Sequence, residues 1–158
     1  WAYTKRFKGL KKDRKTKRRY FLELGSVEVI AEVFMNGKLL GTFWTRRFVV
    51  DVTDHLLEGD NKLVIRISNL WPNRLIGDEQ EPEVYKYAPG GGGKGFASLG
   101  GGAIQELPEW YRSNQPKPND GRVAFATWKH YTKDSPLLQS GLIGPVVIRE
   151  GTVIKIGT

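Results

Sequence analysis

The stretch VEVIAEVFMNGKLLGTF, residues 27 to 43, decides the fold. Val27, Val29, Ala31, Val33 and Met35 alternate with Glu28, Ile30, Glu32 and Phe34, a period of two that buries one face of a strand and half-exposes the other. Asn36-Gly37 then supplies a pair that tolerates positive φ at both central turn positions, so the chain folds back as a hairpin. Downstream, RRFVVDVTDHLLEGDNKLVIRISN (46 to 69) repeats the scheme. It reads as a strand at 48 to 52, a cap-like Thr53-Asp54 before a short helical turn, a Glu58–Asn61 turn, and a strand with Leu63, Ile65 and Ile67 inward.

Outside this block the signals are uneven. AYTKRF (2 to 7) and YFLELG (20 to 25) read as strands, and the basic run between them as a solvated hairpin loop. Residues 70 to 120 hold six of the eight prolines and two glycine tracts, PGGGGKG and LGGG, which predicts a long irregular insertion without a core of its own. GRVAFATWKHYT (121 to 132) reads as a strand with Val123, Phe125 and Thr127, or else Ala124, Ala126 and Trp128, inward. LIGPVVIRE and TVIKIG supply the last strands. No helical periodicity persists beyond two turns, so the expected class is an all-β antiparallel β-sandwich, a jelly roll.

A chain of 158 residues carries one real core, and one domain over 1 to 158 is the expected organisation. No apolar run approaches the roughly eighteen residues that a membrane-spanning helix needs, so no membrane partner is expected. The absence of cysteine removes disulfides, thiolate zinc sites and cysteine nucleophiles, and leaves the redox compartment open. The chain opens on Trp1 and shows no signal peptide, as expected of a mature form or an excised domain.

The net charge of +8 is concentrated in one place. Residues 1 to 20 hold ten Lys or Arg against Asp13, while the remaining 138 hold fifteen bases and sixteen acids. The run 5 to 19 is therefore read as a basic loop, with a polyanion contact as the alternative use. Nucleic acid is not the expected partner.

Specific residues add more than pattern. AEVFMNGKLLGTFWTRRFVVDVTDHLLEGDNKLVIRISN resembles the sugar-binding, galactose-binding-like jelly roll of the glycoside hydrolase family 2 type. LWPNRLIGDEQ (70 to 80) and GRVAFATWKHYTKDSPLLQSGLIGPVVI (121 to 148) are similar, more narrowly, to the C-terminal region of the family 106 α-L-rhamnosidases. The resemblance spans about residues 20 to 149. It implies an accessory domain of a secreted or periplasmic polysaccharide-degrading enzyme, with chemistry in a separate barrel domain and no catalytic residue here. The implied partners are a plant or algal polysaccharide, which the basic run at 5 to 19 would bias toward acidic or sulfated glycans, and the catalytic domain of the parent enzyme. No cofactor is implied.

Sugar sites combine an aromatic plate for the C–H face with planar polar groups for the hydroxyls. The loop from 70 to 80 offers Trp71, Asn73, Arg74, Asp78 and Glu79; the second block offers Trp128, His130 and Tyr131; Trp110 is a further plate on a loop. If the strands at 62 to 68 and 122 to 128 end at one rim, these sets converge. The alternative is a Trp71-Pro72 plug with an internal Arg74–Asp78 ion pair, in a module that docks on a catalytic domain and exposes an apolar patch around Trp71 and Leu137-Leu138. Asp78 with Glu79, or Glu106 with Glu109, are not expected to form the facing carboxylate pair of a glycosidase. Two histidines in the whole chain argue against a histidine metal cluster. A structural calcium could use Asp51, Asp54, Glu58 and Asp60, although cap and turn roles account for Asp54 and Asp60. GGGGKG lacks the Lys-Ser/Thr ending and strand-to-helix context of a phosphate cradle.

Overall fold

In β4 (Ile30–Met35), Ala31, Val33 and Met35 are fully buried, as the period-two pattern requires. A computed structural model describes residues 1 to 9, 18 to 89, 102 to 152 and 154. Most of the basic run (10 to 17), the glycine tracts at 90 to 101, and most of the TVIKIG strand lie outside the described residues.

The remaining strands are β1 (Ala2–Lys8), β2 (Arg18–Glu23), β3 (Ser26–Glu28), β5 (Lys38–Phe43), β6 (Val49–Asp51), β7 (Asp60–Ser68), β8 (Gly141–Gly144) and β9 (Val147–Thr152). All ladders between them are antiparallel. They form a four-stranded sheet in the order β1-β7-β4-β5, a three-stranded sheet β6-β2-β9 and a two-stranded sheet β3-β8. One core cluster joins them: Ala31, Val33, Met35, Leu63, Ile65 and Ile67 from the first sheet, Tyr20 and Leu22 from the second, and Val27 from the third.

The Asn36-Gly37 turn forms as expected, with φ of 52° and 85°. Asn36 also ties the hairpin to the 55 to 62 loop: its Nδ2 donates to His55 O and to Asn61 Oδ1, and its Oδ1 accepts from Lys62 N. The buried Asn61 in turn donates to Leu57 O and Gly59 O, so the polar EGDN turn is stitched from within.

Four expectations are corrected. The run 27 to 35 is two strands: β3 pairs with β8, and β4 with β5 and β7. β1 and β2 do not form a hairpin. β1 pairs with β7, from Ala2↔Arg66 to Lys8↔Asp60, while β2 lies between β6 and β9. The described part of the 5 to 19 run is therefore strand apart from Gly9, and Lys8, Arg18 and Arg19 form ion pairs with Asp60, Glu150 and Asp51. The short helical turn read at 55 to 57 lies earlier, at residues 53 to 55, where His55 N and Leu56 N both donate to Val52 O. Finally, 121 to 132 is not a strand: it makes an isolated bridge, Ala103↔Trp128, and no ladder.

Contacts divide the chain into two compact units, Trp1–Leu70 with Gln139–Thr158, and Trp71–Leu138. The first contains the β-sandwich. The second includes the stretch read as a coreless insertion, and it has order of its own: α1 (Pro72–Asp78), α2 (Glu109–Arg112), and an edge-on aromatic cluster of Tyr85, Trp110, Tyr111 and Phe125.

Candidate functional site

LWPNRLIGDEQ is mostly helix. Pro72 opens α1, where its fixed φ suits the first turn and its missing N–H costs nothing. The helix buries Ile76 and Asp78. Asp78, only 4% exposed, accepts from the backbone N–H of Val123 at 3.1 Å and of Ala124 at 2.7 Å. Consecutive amides of a regular strand point to opposite edges, so a single carboxylate that takes both holds this backbone out of a ladder.

Arg122, also buried, completes the arrangement. Its Nε donates to Pro82 O at 3.0 Å, one terminal nitrogen to Glu81 O at 3.2 Å, and the other to Glu79 Oε1 at 2.9 Å. Glu79 Oε2 lies 3.6 Å from Lys129 Nζ, which pairs with Glu83 at 2.9 Å. The Glu83 hydrogen bond, outweighing burial, raises the Lys129 pKa. Lys117 donates to Asp120 at 2.5 Å and to Arg122 O at 2.7 Å. Its hydrogen bond is the main cause holding Asp120 below the usual carboxylate range. Burial pushes the phenols of Tyr85 and Tyr87 up, with Asp120 adding to the effect at Tyr85. Among the described residues no buried side-chain polar atom lacks a partner.

The cavity enclosed by this cluster is 20 Å³, bounded by Leu75, Asp78, Glu79, Arg122, Trp128 and Tyr131 among others. That is room for about one water molecule. Asp78 commits both oxygens to backbone amides and Glu79 both to cations. Such an arrangement holds backbone in place; it does not present a carboxyl to a proton in transit.

The nine candidate residues fall into three groups. Asp78, Glu79, Trp128, His130 and Tyr131 come together around the cavity, with Arg74 reaching Asp78 at 3.4 Å from the outside. Trp71 and Asn73 lie at the start of α1, where Asn73 clamps Leu138 by accepting from its N–H at 2.8 Å and donating to its carbonyl at 2.7 Å. Trp71 is 63% exposed and so plugs nothing within its own unit. Trp110 is half-buried, packed edge-on against Phe125 with centroids 5.0 Å apart. The two sequence blocks meet within the second unit as a closed polar cluster, and not by the expected route of two strands ending at one rim, because 122 to 128 is not a strand. Arg122 was missed. The only hint was a long cation just after a Gly, and nothing local pairs it with Glu79 forty-three positions away.

Two of the four acids considered for calcium, Asp51 and Asp60, have other partners. Asp51 accepts from Thr53 N and Oγ1 and pairs with Arg19; these contacts overcome burial and lower its pKa. Asp60 pairs with Lys8. Among the described residues no three His, Asp or Glu side chains gather as a metal site.

An antiparallel β-sandwich of this kind is the fold of the galactose-binding-like modules built into glycoside hydrolases. The chain belongs to the family described as glycosyl hydrolase 2 galactose-binding domain-like, whose profile matches residues 1–98. It is 43% identical over 147 residues to a putative beta-glucuronidase of Formosa agariphila, covering 93% of this chain and 12% of that protein. It is also similar to the solved rhamnosidase from Novosphingobium sp. PP1Y, with a TM-score of 0.64 and 29% identity over 95% of this chain and 11% of that one. The chain thus spans about a tenth of the length of these relatives.

Proposed function

We propose that this chain is a non-catalytic accessory domain of a glycoside hydrolase, and that its Trp71–Leu138 unit docks on the catalytic domain of the parent enzyme. The observation that carries this reading is the exposure of Trp71, Leu137 and Leu138, at 63%, 69% and 51%, on backbone that Asn73 fixes through its paired hydrogen bonds to Leu138. Large apolar side chains grouped on a preorganised surface mark an interface, because each leaves water on association at little further ordering cost. The length of the relatives supplies the occupant: roughly nine-tenths of each lies outside the region matched. Saccharide contact at the Asp78–Arg122 cluster is the weaker reading, since a 20 Å³ cavity admits no pyranose ring.

The test is association of this chain with the separately expressed remainder of its parent enzyme, followed by calorimetry. Replacing Trp71, Leu137 and Leu138 by Ser should weaken binding at least about tenfold, as expected for central apolar anchors, and leave the melting temperature of the chain within a degree or two. Unchanged affinity in the triple variant refutes the docking surface.

A further inference from the structure

Trp44 is 75% exposed, in the β5–β6 connection of the sandwich. It lines an open depression of 490 Å³ together with Glu28, Val29, Arg46, Arg47 and Phe48. This volume falls within the range of small-molecule sites. None of these residues entered the sequence-based candidate set.

The segment is anchored at both ends, by the Ala31↔Phe43 pair of β5 before it and by Phe48 and Val49 after it. Phe48 is buried in the core and its carbonyl accepts from Leu24 N at 2.9 Å; Val49 N donates to Arg47 O at 2.8 Å. Arg47 is held at φ 101°, a region that side-chain-bearing residues seldom occupy and that the surrounding structure must impose. Among the described residues, nothing forms a hydrogen bond or ion pair with the side chains of Glu28, Arg46 or Arg47, whereas Arg18, Arg19, Arg122 and Arg149 are all paired.

We infer that this depression is a binding site for an anionic pyranoside, with Trp44 as the plate for the sugar C–H face, Arg46 and Arg47 as partners of its carboxylate or sulfate, and Glu28 as acceptor for a hydroxyl. The chemistry follows from the residue types. An indole face matches the apolar face of a pyranose. Guanidinium forks bind planar oxyanions through two parallel hydrogen bonds, which a lysine cannot do. Two guanidinium groups against one carboxylate leave the site with a net charge of +1 and favour an anionic sugar over a neutral one. The site uses none of the residues assigned to docking, so either proposal can fail alone.

The experiment is an NMR titration of the intact chain, following the Trp44 indole N–H, with methyl β-glucuronoside, a methyl galactoside 6-sulfate and neutral methyl β-galactoside. The anionic glycosides should shift that resonance at least tenfold more tightly than the neutral one, with affinity falling as salt rises. Preference between the uronoside and the sulfated sugar identifies the anion. Trp44→Ala, read through the backbone amides of Arg47 and Phe48, should abolish binding of all three, and Arg46→Gln with Arg47→Gln should remove the anionic preference and leave weak neutral binding. Equal affinity for charged and neutral sugars, insensitivity to the double Arg variant, or no shift at ligand concentrations on the order of 10 mM overturns the inference.

Discussion

Replacing Asp78 by Asn tests the organisation of the second unit at its centre. The native carboxylate accepts two backbone amides, from Val123 and Ala124, while 4% exposed. An asparagine carbonyl can accept one of them; its NH2 group then faces the other donor, so one amide is left buried and unpaired. Hydrogen bonds to a charged acceptor contribute about 1.5–3 kcal/mol each, and an unsatisfied buried donor costs about 1–3 kcal/mol. The expected loss is therefore about 3 kcal/mol, which for a chain of this size corresponds to a fall of roughly 6–12 °C in melting temperature if unfolding is cooperative. The Arg74–Asp78 pair adds little: it spans 3.4 Å and Arg74 is half exposed, which places its contribution under about 1 kcal/mol. Arg74→Ala is the control. Amide hydrogen exchange gives the local readout, with Val123 and Ala124 losing protection in Asp78→Asn ahead of the core amides of Val33 and Ile65. A stability change under about 0.5 kcal/mol with those two amides still protected would show that the backbone at 122 to 124 is held by something other than this carboxylate.

Two further outcomes follow from the sandwich and the charge network. Gly25→Ala places a Cβ 2.3 Å from the backbone carbon of Gly144 at a φ of +63°, so it should destabilise by more than about 3 kcal/mol, whereas Gly59→Ala meets nothing within 4 Å and should stay within about 0.5 kcal/mol in urea unfolding. Asp51 and Asp120 have lowered folded-state pKa values, so each contributes stability that is present above the unfolded aspartate value of about 3.9 and lost as pH falls through the folded value. The melting temperature should be flat from neutral pH to about pH 5 and decline below about pH 4, and Asp51→Asn together with Asp120→Asn should flatten that decline; an undiminished decline assigns it to other carboxylates.

The local features were legible because they are short-range. Period-two alternation buries Ala31, Val33 and Met35 on one side and Leu63, Ile65 and Ile67 on another strand, and it needs no knowledge of partners. Asn36-Gly37 names its own turn for the same reason. The break of the 27 to 35 run and the separation of β1 from β2 were not legible, because each depends on a pairing made elsewhere in the chain: β3 with β8, and β1 with β7. The exposed Trp44 escaped notice because an aromatic residue after a strand reads equally well as core.

By itself, then, the sequence determined the class of fold, the inward face of the central strands, the family likeness and the residue types that meet around Asp78. Only the tertiary structure decided what those residues do. Whether a buried carboxylate faces a ligand or two backbone amides depends on which distant segment arrives beside it, and here Val123 and Ala124 arrive from forty-five and forty-six positions away. The same holds for Arg122 and Glu79: sequence supplies opposite charges, but burial in a shared low-dielectric space, set by the packing of three separated segments, makes them partners.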